Sequence, residues 1–211
     1  MPAVPAALPD PKTVRALRVS LIACALVSLA ALVAHVFHLL PMPFFLEVFG
    51  VPSLLALYGL AAYARKIDAR MLTQGLRVGL LAGIAATVVY DGVRFLVEHG
   101  HLFGYNGFVP IRMFGNWITG QPVGSTAAKI AGWSYHYWNG ATFGVIYTLA
   151  MGRRKWLWGI AYGILMECCM LGLFPMFLRV TSKTDFIAVS MIGHLFYGAT
   201  LGWLAEKYIS A

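Results

Sequence analysis

The sequence predicts an all-α integral membrane protein with six transmembrane helices, of which the last four form a bundle of two related helical hairpins. Three observations predict it: a composition 60% hydrophobic and only 11% charged, six apolar stretches of spanning length, and one short pattern written twice. Soluble domains carry roughly 25% charged residues, and a mean hydropathy of +0.74 belongs to a different class.

A hydrocarbon core of about 30 Å takes on the order of 20 helical residues at about 1.5 Å each. Stretches near 17–40, 44–64, 76–97, 128–151, 156–178 and 186–205 meet that length. The first is longer than the apolar part of a secretory signal, and no A-x-A-like cleavage site follows it before Pro41, so it is expected to remain as a helix. Residues 1–16 are then a cytoplasmic tail, 17–75 two N-terminal transmembrane helices, 76–205 the four-helix core and 206–211 a second cytoplasmic tail. Within the core, 98–127 is a long external loop rich in glycine and aromatic residues, and loops of this length commonly cap or serve a site.

Lys and Arg set the orientation, because cytoplasmic loops near the spans keep an excess of them. Lys12, Arg15 and Arg18 precede the first span, and Arg65, Lys66, Arg70 and Arg77 join the second to the third. Arg153, Arg154 and Lys155 join the fourth to the fifth, and Lys207 follows the sixth. Arg94, Arg112, Lys129, Arg179 and Lys183 fall on the opposite side or near its membrane edge. Both termini are therefore expected in the cytoplasm. A formal charge of +8 spread over short loops reads as a set of topology signals, which argues against nucleic acid as a partner. Cys24, Cys168 and Cys169 all fall in spans and give no spaced disulfide framework.

The repeated pattern is His-x-x-x-Gly-Ala-Thr-x-Gly, as "HYWNGATFG" from His136 and "HLFYGATLG" from His194. Residues four apart share a helix face, so His136, Gly140 and Gly144 form one stripe and His194, Gly198 and Gly202 another. The preceding spans answer with Gly79, Gly83, Thr87 and Asp91, and with Gly159, Gly163 and Glu167. Small residues at this spacing let helix backbones approach closely in a membrane. Each hairpin thus sets a carboxylate stripe against a histidine stripe, with glycine toward the cytoplasm and the ionisable group above it. Two hairpins of like orientation imply a pseudo-twofold axis along the membrane normal. The first two spans, which lack such a stripe, are expected to pack outside the bundle.

The stretches "FVPIRMFGNWITGQP", "AGWSYHYWNGATFGVIY" and "GHLFYGATLGWL" resemble the bacterial inner-membrane family known as domain of unknown function 2938, over about residues 75–205. Asp91, His136 and His194 match the places of that family's helical Asp, its histidine after a Gly-Trp pair and its late histidine. The resemblance implies a bacterial inner-membrane location and the core architecture, with the first two spans as an addition. It implies no activity.

An ionisable side chain near a bilayer centre costs about 2.5–3.5 kcal/mol on insertion scales, so several on facing helices need a compensating role. Asp91, His136, Glu167 and His194 are a sensible ligand set for a divalent metal such as Zn, Fe or Mn. They are equally a site for a small solute, an ion or a relayed proton, with Arg94 and Asn139 beside them. They are also able to pair among themselves, with Arg94, Asn139, Thr142 or Thr200 fixing helix register. Arg94 lies three residues after Asp91 and four before Glu98, within reach of either. His99 and His101 fall at the outer mouth, and His35 with His38 near an interface. Trp133, Tyr135, Tyr137 and Trp138 are expected around His136 as an aromatic belt or a ligand wall.

No nucleophile elbow, metalloprotease helix, phosphate loop or dinucleotide fingerprint is present. Three readings stay open: a solute, ion or proton site, a metal-dependent enzyme acting on a lipid-like substrate, and an assembly protein with a closed polar cluster. A cavity with a polar path, a metal with a free position and a fully paired cluster would separate them.

Overall fold

The computed structural model describes residues 9–177 and 183–210, with the side chains of 173–177 and 183 outside the description. The described residues form helices and connecting turns, with no strand among them. Helix α1 (Pro11–Val36) opens on Asp10, whose carboxylate accepts from the N–H groups of Lys12 and Thr13 and from the Thr13 hydroxyl, with Pro11 in the first turn. Helix α2 (Met42–Lys66) includes a π-helical turn at Leu46–Gly50. Helices α3 (Arg70–His99), α4 (Val109–Thr119), α5 (Thr126–Met151), α6 (Leu157–Phe177) and α7 (Lys183–Tyr208) follow. α4 and α5 stop at Gly120 and Gly152, whose φ values of 66° and 62° lie in the left-handed region that glycine enters without strain.

Four helices are long and apolar enough to cross a membrane: α1, α2, α3 and Thr184–Tyr208 of α7. Leu157–Gly172 of α6 is a shorter apolar helix. α5 reaches 26 residues, but Lys129, His136, Asn139 and its hydroxyl residues dilute its hydropathy. Asn139, Thr142 and Thr148 are buried against other helices, so the polarity that lowers α5 on a hydropathy scale is turned inward.

The stripes pack in register. Gly79 and Gly83 of α3 meet Gly144 and Gly140 of α5, while Gly159 and Gly163 of α6 meet Gly202, Gly198 and the His194 carbonyl of α7. A Cβ at Gly144 would stand 2.7 Å from Gly83 Cα, and one at Gly159 would stand 2.6 Å from Gly202 Cα. Backbone therefore rests on backbone along both seams. Thr148 adds a hydroxyl bond of 2.7 Å across the first seam to the Gly75 carbonyl.

Three expectations change. α3 begins at Arg70, so Arg70 and Arg77 belong to the helix and the α2–α3 connection shrinks to 67–69. Arginine favours helix, and its long stem reaches water from inside a span, which carries the helix past the apolar window. The 98–127 connection contains α4, seated where Gly115 meets the Ala128 backbone and Gly132 the Ile111 carbonyl of the facing helix. α1 also does more than pack outside. Its Ser28 hydroxyl lies 2.8 Å from Thr142 Oγ1, and the Ser28 carbonyl accepts from Tyr135 at 2.7 Å.

Candidate functional site

Above each glycine seam the two facing helices present their ionisable residues to each other. His136 Nε2 stands 3.0 and 3.1 Å from the two Asp91 oxygens, and His194 Nδ1 stands 2.8 Å from Glu167 Oε2. Each contact is a hydrogen bond between an imidazole nitrogen and a carboxyl oxygen. Close helix approach makes both contacts possible, because a bulkier seam would hold the stripes apart.

The dyads differ in their surroundings. Arg94 lies one turn beyond Asp91, with Nη1 3.7 Å from Oδ1: ion-pair range, but beyond a hydrogen bond. Its guanidinium lies 4.7 Å from the Tyr90 ring centroid and 5.0 Å from that of Phe108. Glu167 is fully buried and takes a second bond, 2.6 Å, from the Ser190 hydroxyl. His194 Nδ1 also lies 3.0 Å from the Ser190 carbonyl.

Tyr90 joins the two halves. Its ring lies 6.0 Å from His136 and 5.1 Å from His194 between centroids, and it rests on the bare face of Gly193. Trp133 and Tyr137 touch the His136 ring from other directions, whereas Tyr135 turns toward α1 and Trp138 packs with it. Half of the expected aromatic shell therefore belongs to a helix interface.

Both imidazoles line one cavity of about 300 Å³, together with Arg94, Asn139 and Ser190. This is the lower end of ligand-pocket volumes. The remaining walls are mostly apolar, with Leu26, Leu29 and Leu32 from α1, Phe143 and Ile146 from α5 and Leu165 and Met166 from α6. Several polar atoms at this cavity have no hydrogen-bond partner among the described residues: Arg94 Nε, Asn139 Oδ1 and the Tyr105 hydroxyl. Buried polar groups are ordinarily bonded, so three such atoms on residues of one lining are unusual. Burial pushes the Tyr105 phenol up to about 12, with Arg94 acting the other way, and the group keeps its proton.

Arg94, His136, Asn139 and His194 line this cavity, and Asp91 and Glu167 adjoin it through the histidines they pair with; the four residues expected as one metal set stand as two pairs. Among the described residues no three His, Cys, Asp or Glu side chains converge as one ion requires. Asp91 and Glu167 are each occupied by the histidine of their own hairpin, and the Tyr90 ring lies against both imidazoles. Glu98 goes to the Asn106 amide at 2.6 Å rather than to Arg94. His99 and His101 are exposed; His35 packs at a tilt against the Trp117 ring, 4.8 Å between centroids, and accepts from the Met42 N–H. Tyr90, Tyr105 and Ser190 were not among the expected site residues. Ser190 carried a signal, since it sits four residues before His194 on the same stripe.

Comparison with protein-family models, with curated proteins and with solved structures finds no match for this chain.

Proposed function

We propose that this chain is a multi-pass inner-membrane protein that binds a small solute within the bilayer, at a cavity flanked by two proton-carrying carboxylate–histidine dyads. Six spans, cytoplasmic termini and a core of two pseudo-twofold-related hairpins complete the reading. The distribution of Lys and Arg supports the orientation, and the matching glycine seams with a dyad above each support the repeat. A bacterial inner-membrane location rests on the resemblance of residues 75–205 to that family alone, and it leaves activity open.

One observation carries the binding role: His136 and His194, from different hairpins, open onto the same cavity, where Arg94 Nε and Asn139 Oδ1 lack partners among the described residues. A purely structural cluster would close on itself and satisfy those atoms. A metal-dependent enzyme would need ligands that converge, which the dyads do not do among the described residues. Within each dyad an imidazole nitrogen and a carboxyl oxygen stand at hydrogen-bond distance, an arrangement suited to exchanging a proton with what the cavity binds.

The test is to identify what travels with the protein. Organic extracts of protein purified in non-ionic detergent are compared by mass spectrometry for the wild type and Leu29→Trp, which fills the cavity from α1 without touching either dyad. One class of small molecule should be enriched by the wild type and lost from the variant. Identical extracts would sink the reading.

A further inference from the structure

Each dyad uses only half of its imidazole. His136 meets Asp91 with Nε2, and His194 meets Glu167 and the Ser190 carbonyl with Nδ1, so His136 Nδ1 and His194 Nε2 point away from their acids. Among the described residues neither of these second nitrogens has a hydrogen-bond partner, and neither is sealed from accessible surface as Arg94 Nε, Asn139 Oδ1 and the Tyr105 hydroxyl are. Both rings line the cavity. His194 is only 7% exposed, and a nitrogen left without a partner at that depth costs free energy until something bonds to it.

The hydroxyls of the lining are already engaged. Thr87 donates to the Gly83 carbonyl, Ser190 to Glu167, Tyr162 to the Phe143 carbonyl and Tyr197 to the Gly140 carbonyl. The two imidazoles therefore offer a ligand two hydrogen-bonding points, one from each hairpin. Those points are close together. The His136 and His194 rings lie 6.0 and 5.1 Å from the same Tyr90 ring between centroids, so one small ring beside Tyr90 is of the scale to reach both.

The walls specify the body of the ligand. They are mostly apolar, and an ion among them would be poorly solvated, which selects a neutral molecule. Leu26 and Leu165 line the cavity and are also 41% and 58% exposed, which places a mouth between α1 and α6 on a surface of apolar side chains. A molecule entering there comes from the hydrocarbon. We propose that the cavity takes a lipid-soluble quinol: a neutral six-membered ring with hydroxyls on opposite edges, one on His136 Nδ1 and the other on His194 Nε2, and an apolar tail along the leucine wall toward the α1–α6 mouth. A hydroxyl both donates and accepts, so it answers an imidazole nitrogen whether or not that nitrogen carries a proton. This rests on the reading of the cavity as a ligand site within the bilayer.

The experiment titrates the full chain in lipid nanodiscs, under argon at pH 7, with 2-decylhydroquinone, 3-decylphenol and decylbenzene, which carry two, one and no hydroxyl on the same ring and tail. Binding is read calorimetrically with partition into empty nanodiscs subtracted. Affinity should fall in two steps along the series, about fivefold at each, the scale of one net hydrogen bond. His136→Phe and His194→Phe should each erase one of the two steps. Should either variant fail to fold because its acid is stranded, the ligand series on the wild type decides the matter alone. Equal affinities for all three overturn the polar subsites and leave an apolar cavity. A single step, with the second hydroxyl adding nothing, overturns the bridge between hairpins, and two steps that survive in both variants overturn the assignment to the imidazoles. Binding of none of the three, with co-purified molecules still lost from Leu29→Trp, overturns this ligand class alone; if those too are absent, the cavity reading fails with it.

Discussion

The hairpin formed by α3 and α5 and the one formed by α6 and α7 each carry a glycine seam and differ in chemistry. In the first the acid is an aspartate and the histidine meets it with Nε2, its distal nitrogen; in the second the acid is a glutamate and the histidine uses Nδ1, its proximal one. A shorter acid is met by the longer reach of the imidazole and a longer acid by the shorter reach. Similar spacing between glycine-packed helices thus accommodates both pairs. The position four residues before each histidine also diverges: Gly132 lets α4 lie against α5, whereas Ser190 donates to Glu167. Glycine sets the scaffold, and the residues one turn away decide what each dyad does.

If the seams are equivalent, they should fail together. Gly144→Leu and Gly198→Leu each force a side chain into facing backbone, where a Cβ would already stand 2.7 Å from Gly83 Cα or 2.9 Å from the Gly159 carbonyl carbon. Overpacking costs about 1–3 kcal/mol, and more where backbone has to move, so neither variant should give a monodisperse peak on size exclusion. A well-behaved Gly198→Leu beside a lost Gly144→Leu would show that only the first seam holds the molecule together.

The dyads should separate next. Glu167 is fully buried, and its loss strands His194 and Ser190. Glu167→Ala should therefore cost about 3–5 kcal/mol in thermal unfolding, the cost of breaking a buried pair. Glu167→Gln should recover part of this by keeping an acceptor, and Asp91→Ala should cost less because its dyad is less completely buried. Double-variant cycles should give coupling of about 0.5–3 kcal/mol within each dyad, and less between His136 and His194. Coupling as large across the dyads as within them would mean one four-residue cluster after all.

The smallest effect lies outside both hairpins and serves as a control on them. Hydrogen bonds from Thr13 and Lys12 hold the Asp10 carboxyl below its ordinary range. Its cap therefore contributes above that ordinary value, about 3.9, and is lost as pH falls through the lowered native one. Asp10→Asn caps without titrating, so the melting temperature of the wild type should fall slightly more steeply than that of the variant between pH 5 and pH 3. Parallel curves would place the acid response in the dyads instead.

Much of this frame was legible in the sequence because it is periodic. The four-residue stripes foretold which faces of α3, α5, α6 and α7 meet, and with them the pairing of Asp91 with His136 and of Glu167 with His194. Neighbours across a third helix were not legible. Tyr90 reads as one more apolar residue before Asp91, and only its seat on Gly193 brings it against both imidazoles. Tyr105 lies in a connection whose path depends on α4, and α4 depends in turn on the bare backbone at Gly115 and Gly132. The single four-residue metal cluster followed from treating shared depth as shared position, which periodicity along one helix does not supply.

The seams also bear on how the molecule deforms. Where backbone touches backbone there are few rotamers to change, so each hairpin responds to force as a stiff plate. Between the plates the contacts include longer, turning side chains: Tyr197 donates to the Gly140 carbonyl at 2.7 Å and Tyr162 to the Phe143 carbonyl at 3.2 Å. Two tyrosines that bridge the two hairpins both line the cavity, so the room between the hairpins depends on where those two side chains stand.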